Sequence, residues 1–101
     1  MISLLNAKKK ILVADDEKII LKIIEEELLS AGYLVDTVNN GEEAINKIKK
    51  NNYDLIILDN KMPKIDGIDV LKFIYNNNIH IIVLMMTAFG TINNAVQVMK
   101  L

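Results

Sequence analysis

Short apolar runs recur along this chain, and amphipathic stretches fill the intervals between them. The runs are Lys10–Ala14, Leu34–Val38, Asp54–Leu58 and His80–Met86. Asp54–Leu58 is the most completely apolar after its first residue, as a strand covered on both faces must be. A helix opens at Asp16 or Glu17, since carboxylates favour helix N-termini, and runs to about Ala31, where Gly32 stops it. After the Asn39-Asn40-Gly41 turn, Glu42–Lys50 is amphipathic with Ala44, Ile45 and Ile48 inward, and Asn51-Asn52 closes it. The loop Asn60–Gly67 holds Pro63 and leads into a helix over Ile68–Tyr75, which the turn Asn76-Asn77-Asn78 ends. Thr91–Leu101 reads as one more helix. Strand and helix alternate with short connections, which predicts right-handed crossovers and a parallel α/β sheet.

Composition narrows the classes. Hydrophobic residues make up 51% of the chain and the mean hydropathy is +0.25, which suits a doubly covered sheet. No apolar run approaches the length that crosses a bilayer. Met1–Leu5 is too short for a signal-peptide core, and Lys8–Lys10 follow it where they would have to precede it, so the expected location is cytoplasmic. With no cysteine there are no disulfides, thiolate metal sites or thiol nucleophiles. The net charge is -1, and the 12 basic residues are all lysines, scattered apart from Lys8–Lys10. Direct nucleic-acid binding asks for a clustered basic surface and finds none. The 101 residues suffice for one domain, with residues 1–7 as an N-terminal extension.

Acidic residues gather where the strands end. Asp15 and Asp16 follow the first run and Asp59 follows the third. In a doubly wound sheet of order 2-1-3-4 those strands are neighbours, and the winding reverses between them, where such sheets bind ligands. Adjacent strands lie roughly 4.8 Å apart, so the carboxylates can reach one cation. Oxygen donors without His or Cys point to Mg2+. The plainer alternative makes Asp15-Asp16 a helix cap, Asp59 the start of a turn and Thr87 an ordinary turn threonine. Ala88 after Thr87 is small and leaves room for a ligand. His80, the single histidine, reads as a partly exposed residue entering the fourth strand. No GxxxxGK or GxGxxG occurs, so nucleotide binding has no support.

The segments ILVADDE, DLIILDNKMPKIDG and IIVLMMTAFG resemble, in order and spacing, the receiver domains of bacterial response regulators. The resemblance runs from about Lys8 to the end. TAFGTINNAVQVMKL is similar to receivers of the enhancer-binding activator class. The resemblance implies a flavodoxin-like fold and a two-component phosphorelay role, with a sensor histidine kinase as donor and no enzymatic turnover of its own. It implies that Asp59 is the phosphoacceptor. Asp16, Asp59 and the backbone carbonyl of Lys61 would bind Mg2+ directly, Asp15 would act through a water, and Thr87 would contact the phosphoryl group and carry the switch.

Receivers continue into a fifth strand and fifth helix, with a lysine that contacts the phosphoryl group; this sequence stops within the helix before them. The expected consequences are an exposed edge at Ile81–Met86 and a first helix apolar on more than one side (Ile19, Ile20, Leu21, Ile23, Ile24, Leu28, Leu29). A homodimer through that surface is therefore expected. The alternative function is a phosphorylation-impaired receiver that only binds partners. A phosphatase of the haloacid dehalogenase type would need Asp-x-Asp after the first strand, and the acids here are adjacent.

Overall fold

The computed structural model describes residues 8–86. Residues 1–7, Thr87, Ala88 and the helix expected over Thr91–Leu101 lie outside the described residues. Within them the order is β1 (Lys10–Ala14), α1 (Lys18–Ser30), β2 (Leu34–Val38), α2 (Gly41–Lys50), β3 (Leu55–Asp59), α3 (Gly67–Asn76) and β4 (Ile82–Met86). The strands form one parallel sheet in the order β2-β1-β3-β4, the expected flavodoxin-like winding.

The pleat sorts the apolar runs onto two faces. Leu12, Ala14, Ile56, Leu58, Val83 and Met85 meet Ala44 and Ile48 of α2 and Val70, Leu71 and Ile74 of α3. Ile11, Val13 and Ile57 face the other way and meet Leu21, Ile24 and Leu28 of α1. Residues without alternation in the sequence are thus apolar on both sides because both sides are covered.

Local chemistry fixes the helix ends. Asn40 caps α2, its side chain accepting from the Glu43 N–H at 2.8 Å, and Asp66 caps α3 through the Asp69 N–H at 3.0 Å. At the end of α1 the Gly32 N–H donates to the Leu29 carbonyl and the Tyr33 N–H to the Leu28 carbonyl. That paired return needs a left-handed residue between them, and Gly32 supplies it with φ of 96°.

The helix ends differ from the expected ones by a residue or two, as at Gly41 and at Gly67 and Asn76, and two strands are displaced. β3 is shifted by one residue: Asp54 stays outside, its carboxylate accepting the Lys10 N–H at 2.8 Å, while Asp59 closes the strand. β4 begins at Ile82, because the chain has only just left the turn at Asn78, whose φ is 53°. The breadth of α1 is as expected: Ile19 is 76% and Ile23 57% exposed, while Leu21 is buried.

A second polar cluster, not anticipated from the sequence, ties the strands toward their N-terminal ends. The buried Tyr53 hydroxyl donates to Asp36 at 2.6 Å. The Lys10 ammonium lies 3.7 Å from the same carboxylate and 5.0 Å from the Tyr53 ring centre. Burial first, then the bond to Asp36 and its charge, push the Tyr53 pKa up.

The contrast between faces gives a stability prediction. Leu12→Ala empties a fully buried position and should cost about 3 kcal/mol. Ile19→Ala, on the exposed side of α1, should cost less than about 0.5 kcal/mol. Urea unfolding measures both; equal losses would contradict the assigned faces.

Candidate metal and acceptor site

Register sets the site. Ala14 pairs with Leu58, so the next residues, Asp15 and Asp59, leave adjacent strands at the same level. Asp15, Asp16 and Asp59 each present a carboxylate oxygen, and these oxygens lie within 4.8 Å of one another. The sequence-expected acidic residues are therefore brought together. Asp15 is only 3% exposed, an unusual place for a carboxylate, whereas Asp16 is open to solvent and Asp59 half-buried.

Asp15 is not the helix cap of the plainer alternative, since Glu17 holds that position, but it makes a turn bond while lying in the acidic cluster. Its Oδ1 accepts the Glu17 N–H at 2.9 Å and so turns the chain out of β1 into α1. Glu17 stands at the helix N-cap without a side-chain cap bond of its own. The same carboxylate still sits within reach of Asp59.

Burial pushes the Asp59 carboxyl up from 3.8 to about 6, and the charge of Asp15 adds to it. A hydrogen bond to the Lys61 backbone pulls the other way, while a bond that the protonated Asp59 donates to the Asp15 carboxylate and the charge of Asp16 raise it further. Crowded, partly desolvated carboxylates are costly as free anions, and a hard cation removes that cost. All the donors are oxygen, with no imidazole or thiolate in the cluster, which fits Mg2+ and not zinc.

The loop after Asp59 is held from several sides. The Asn60 N–H donates to the Met86 carbonyl at 3.0 Å, and the Gly67 N–H returns to the Asn60 carbonyl at 2.8 Å. Met62 is buried, and Ile65 packs against the core. Lys64 has φ of 69°, costly for a residue with a side chain. Its ammonium lies 3.6 Å from Glu42 on α2.

His80 is exposed, far from this cluster, at the rim of a cavity of about 560 Å³ that Tyr53, Leu71, Ile74 and Ile82 also line. That hollow opens at the N-terminal ends of β3 and β4 and contains none of the clustered acids. No helix among the described residues is long and apolar enough to cross a membrane.

The perturbed carboxyl makes the metal-free protein pH-sensitive. Asp59 is held near 3.8 when unfolded and about 6 when folded, so between those values the folded state carries the extra proton. The contribution of Asp59 to stability is then greatest at the acid end and falls as pH rises through the window. With chelator present, Asp59→Asn should exceed wild type above the window by on the order of 1 kcal/mol, after allowance for solvent screening. The gap should close toward the acid end. Urea midpoints across pH test it; a constant gap would show that folding does not raise the Asp59 pKa.

The family model of the response regulator receiver domain matches residues 11–101. The alkaline phosphatase synthesis transcriptional regulatory protein PhoP of Bacillus subtilis is 44% identical over 80 residues, 79% of this chain and 33% of that protein. The receiver domain of the Francisella response regulator 1452 superposes with a TM-score of 0.83 at 35% identity, covering 92% of this chain and 77% of that one. The response regulator TrrA of Thermotoga maritima, solved in complex with Mg(2+)-BeF, is 45% identical, with a TM-score of 0.75 and coverage of 79% and 70%. A complex of the histidine kinase ThkA with TrrA gives 43% identity and a TM-score of 0.77, covering 83% and 72%. The chain spans about a third of the length of the curated relatives it matches.

Proposed function

The chain belongs to the response regulator receiver domain family, and on that footing we propose that it accepts a phosphoryl group on Asp59 in a Mg2+-dependent step, from a sensor histidine kinase. The observation that carries this reading is the convergence of Asp15, Asp16 and Asp59 where β1 and β3 end. A carboxylate oxygen of Asp59 attacks phosphorus, an O–P bond forms, and the P–N bond to the donor imidazole breaks. The imidazole leaves with the electron pair and takes a proton from solvent. Such a transfer asks mainly for positioning and charge neutralisation. A bound divalent cation supplies that neutralisation.

The chain's own groups do the rest. Asp16 and Asp59, with the backbone carbonyl of Lys61, would hold the cation. Asp15 acts through a water and fixes the turn at the end of β1. Thr87 contacts the phosphoryl group and carries the switch. That role rests on the family resemblance, since Thr87 lies outside the described residues. The structures of TrrA with Mg(2+)-BeF and with its kinase support both the cation and the donor class.

A second reading, an interaction module that pairs with another copy, draws on the exposed Ile19 and Ile23 of α1. The two readings separate in one experiment. Incubation of the chain with acetyl phosphate and Mg2+ should place one phosphoryl group on Asp59, seen by intact mass and peptide mapping. Chelator or Asp59→Asn should abolish it, and Asp16→Ala should slow it by about 10²-fold or more. A folded protein that stays unlabelled, or is labelled elsewhere, leaves only the interaction module.

A further inference from the structure

The first turn of α2 lies against the loop that follows Asp59, and the contact runs through Gly41. A Cβ built on Gly41 would fall inside the van der Waals envelope of the Ile65 carbonyl oxygen, with the Ile65 carbonyl carbon at 2.7 Å and its Cβ at 2.8 Å. Two of these atoms belong to the backbone, so no side-chain rotation relieves the clash. Only hydrogen fits. Next to Gly41, Glu42 reaches Lys64 at 3.6 Å, and Asn40 caps the helix.

We propose that Gly41 is a positioning residue for the acidic site, acting through residues 60–66. The inference rests on the reading of Asp59 and its neighbours as a cation-dependent acceptor. The loop starts at Asp59 itself: the next residue, Asn60, donates its N–H to the Met86 carbonyl and accepts the Gly67 N–H, and a Cβ on Gly67 would meet the Asp59 backbone, its carbonyl carbon at 3.0 Å. The loop in turn keeps a left-handed Lys64, which persists only where the surroundings over-determine the backbone. Ile65 against Gly41 is one of those surroundings.

A methyl group at position 41 forces one side to retreat by about 1 Å. α2 cannot easily be that side. Ala44 is fully buried and Ile48 nearly so, and withdrawing the helix would uncover both. The loop is softer, since Lys61, Pro63 and Lys64 are all exposed. The displacement therefore travels back along the chain toward Lys61 and Asp59. Groups that orient a metal ligand typically alter affinity by about 10–100-fold when disturbed.

Gly32 provides the control. It needs its left-handed φ of 96°, but a Cβ there meets nothing within 4 Å, and it lies at the opposite end of the sheet. Gly32→Ala should lower stability without touching the acids. Mg2+ titrations of the full 101-residue chain, followed by amide NMR shifts, read the difference. Gly41→Ala should bind Mg2+ about 10-fold more weakly, and Gly32→Ala as tightly as wild type. Folded Gly41→Ala with wild-type affinity overturns the proposal. If that variant does not fold, the wild-type titration decides: the Gly41 and Ile65 amides should shift with the same midpoint as Lys61, and a static Gly41 amide overturns it. Absence of any wild-type response, with Asp59→Asn indistinguishable from it, removes the cation reading itself.

Discussion

Parallel pairing of β1 with β3 sets two carboxylate-bearing chain ends side by side, and the pairing holds because both strands are buried on both faces. Ile11 and Val13 point into the layer under α1, Leu12 and Ala14 into the layer under α2 and α3. Neither strand can slip by one residue without exchanging those sets, and since both layers are apolar the register is held by backbone bonds and flanking turns. Asp15 serves as one such turn through the Glu17 N–H, and Asp54 as another through the Lys10 N–H. Asp15 and Asp54 thus bracket β1 and β3 at opposite ends. Asp59 is left to be governed by its neighbours.

Electrostatics at the site follows from that arrangement. Burial raises the Asp59 pKa most, and the buried Asp15 contributes the next part. Asp16, which is exposed, contributes least. The ordering has a simple cause: a charge facing water is screened, and one at 3% exposure is not. The cluster is accordingly more than an accumulation of surface acids. One member is committed to the interior, and the site takes its polarity from it.

Much of this was legible in the sequence. The order of strands, the two windings and the meeting of Asp15, Asp16 and Asp59 follow from unbroken apolar runs that end in acids. The one-residue shift of β3 was not legible, because Asp54 and Asp59 flank the same apolar run and either could be its first or last member. Only the tertiary bond from the Lys10 N–H to Asp54 distinguishes them. Asp15 read as either a helix cap or a ligand; Glu17 takes the cap, and Asp15 makes the turn before it while lying among the acids. The Gly41–Ile65 approach joins residues far apart in the chain, and a glycine in an Asn-Asn-Gly turn already had a sufficient local explanation. Tyr53, Asp36 and Lys10 likewise carry no pattern that links them before the strands are paired.

That last cluster changes how repulsion at the other end must be relieved. Three like charges at the rim of a sheet could in principle ease apart by fanning the strands, in the way fingers spread from a relaxed hand. Lys10, Asp36 and Tyr53 bind β1, β2 and the approach to β3 into a knuckle, while the Asp54 carbonyl accepts the Ile82 N–H at 3.2 Å and draws in β4. The knuckle and the ladder bonds between β1 and β3 oppose that fanning. The crowding shows instead in the Asp59 carboxyl, which keeps its proton to a higher pH than a free carboxylate does, so one end of the sheet is tied by opposite charges while the other gathers like ones.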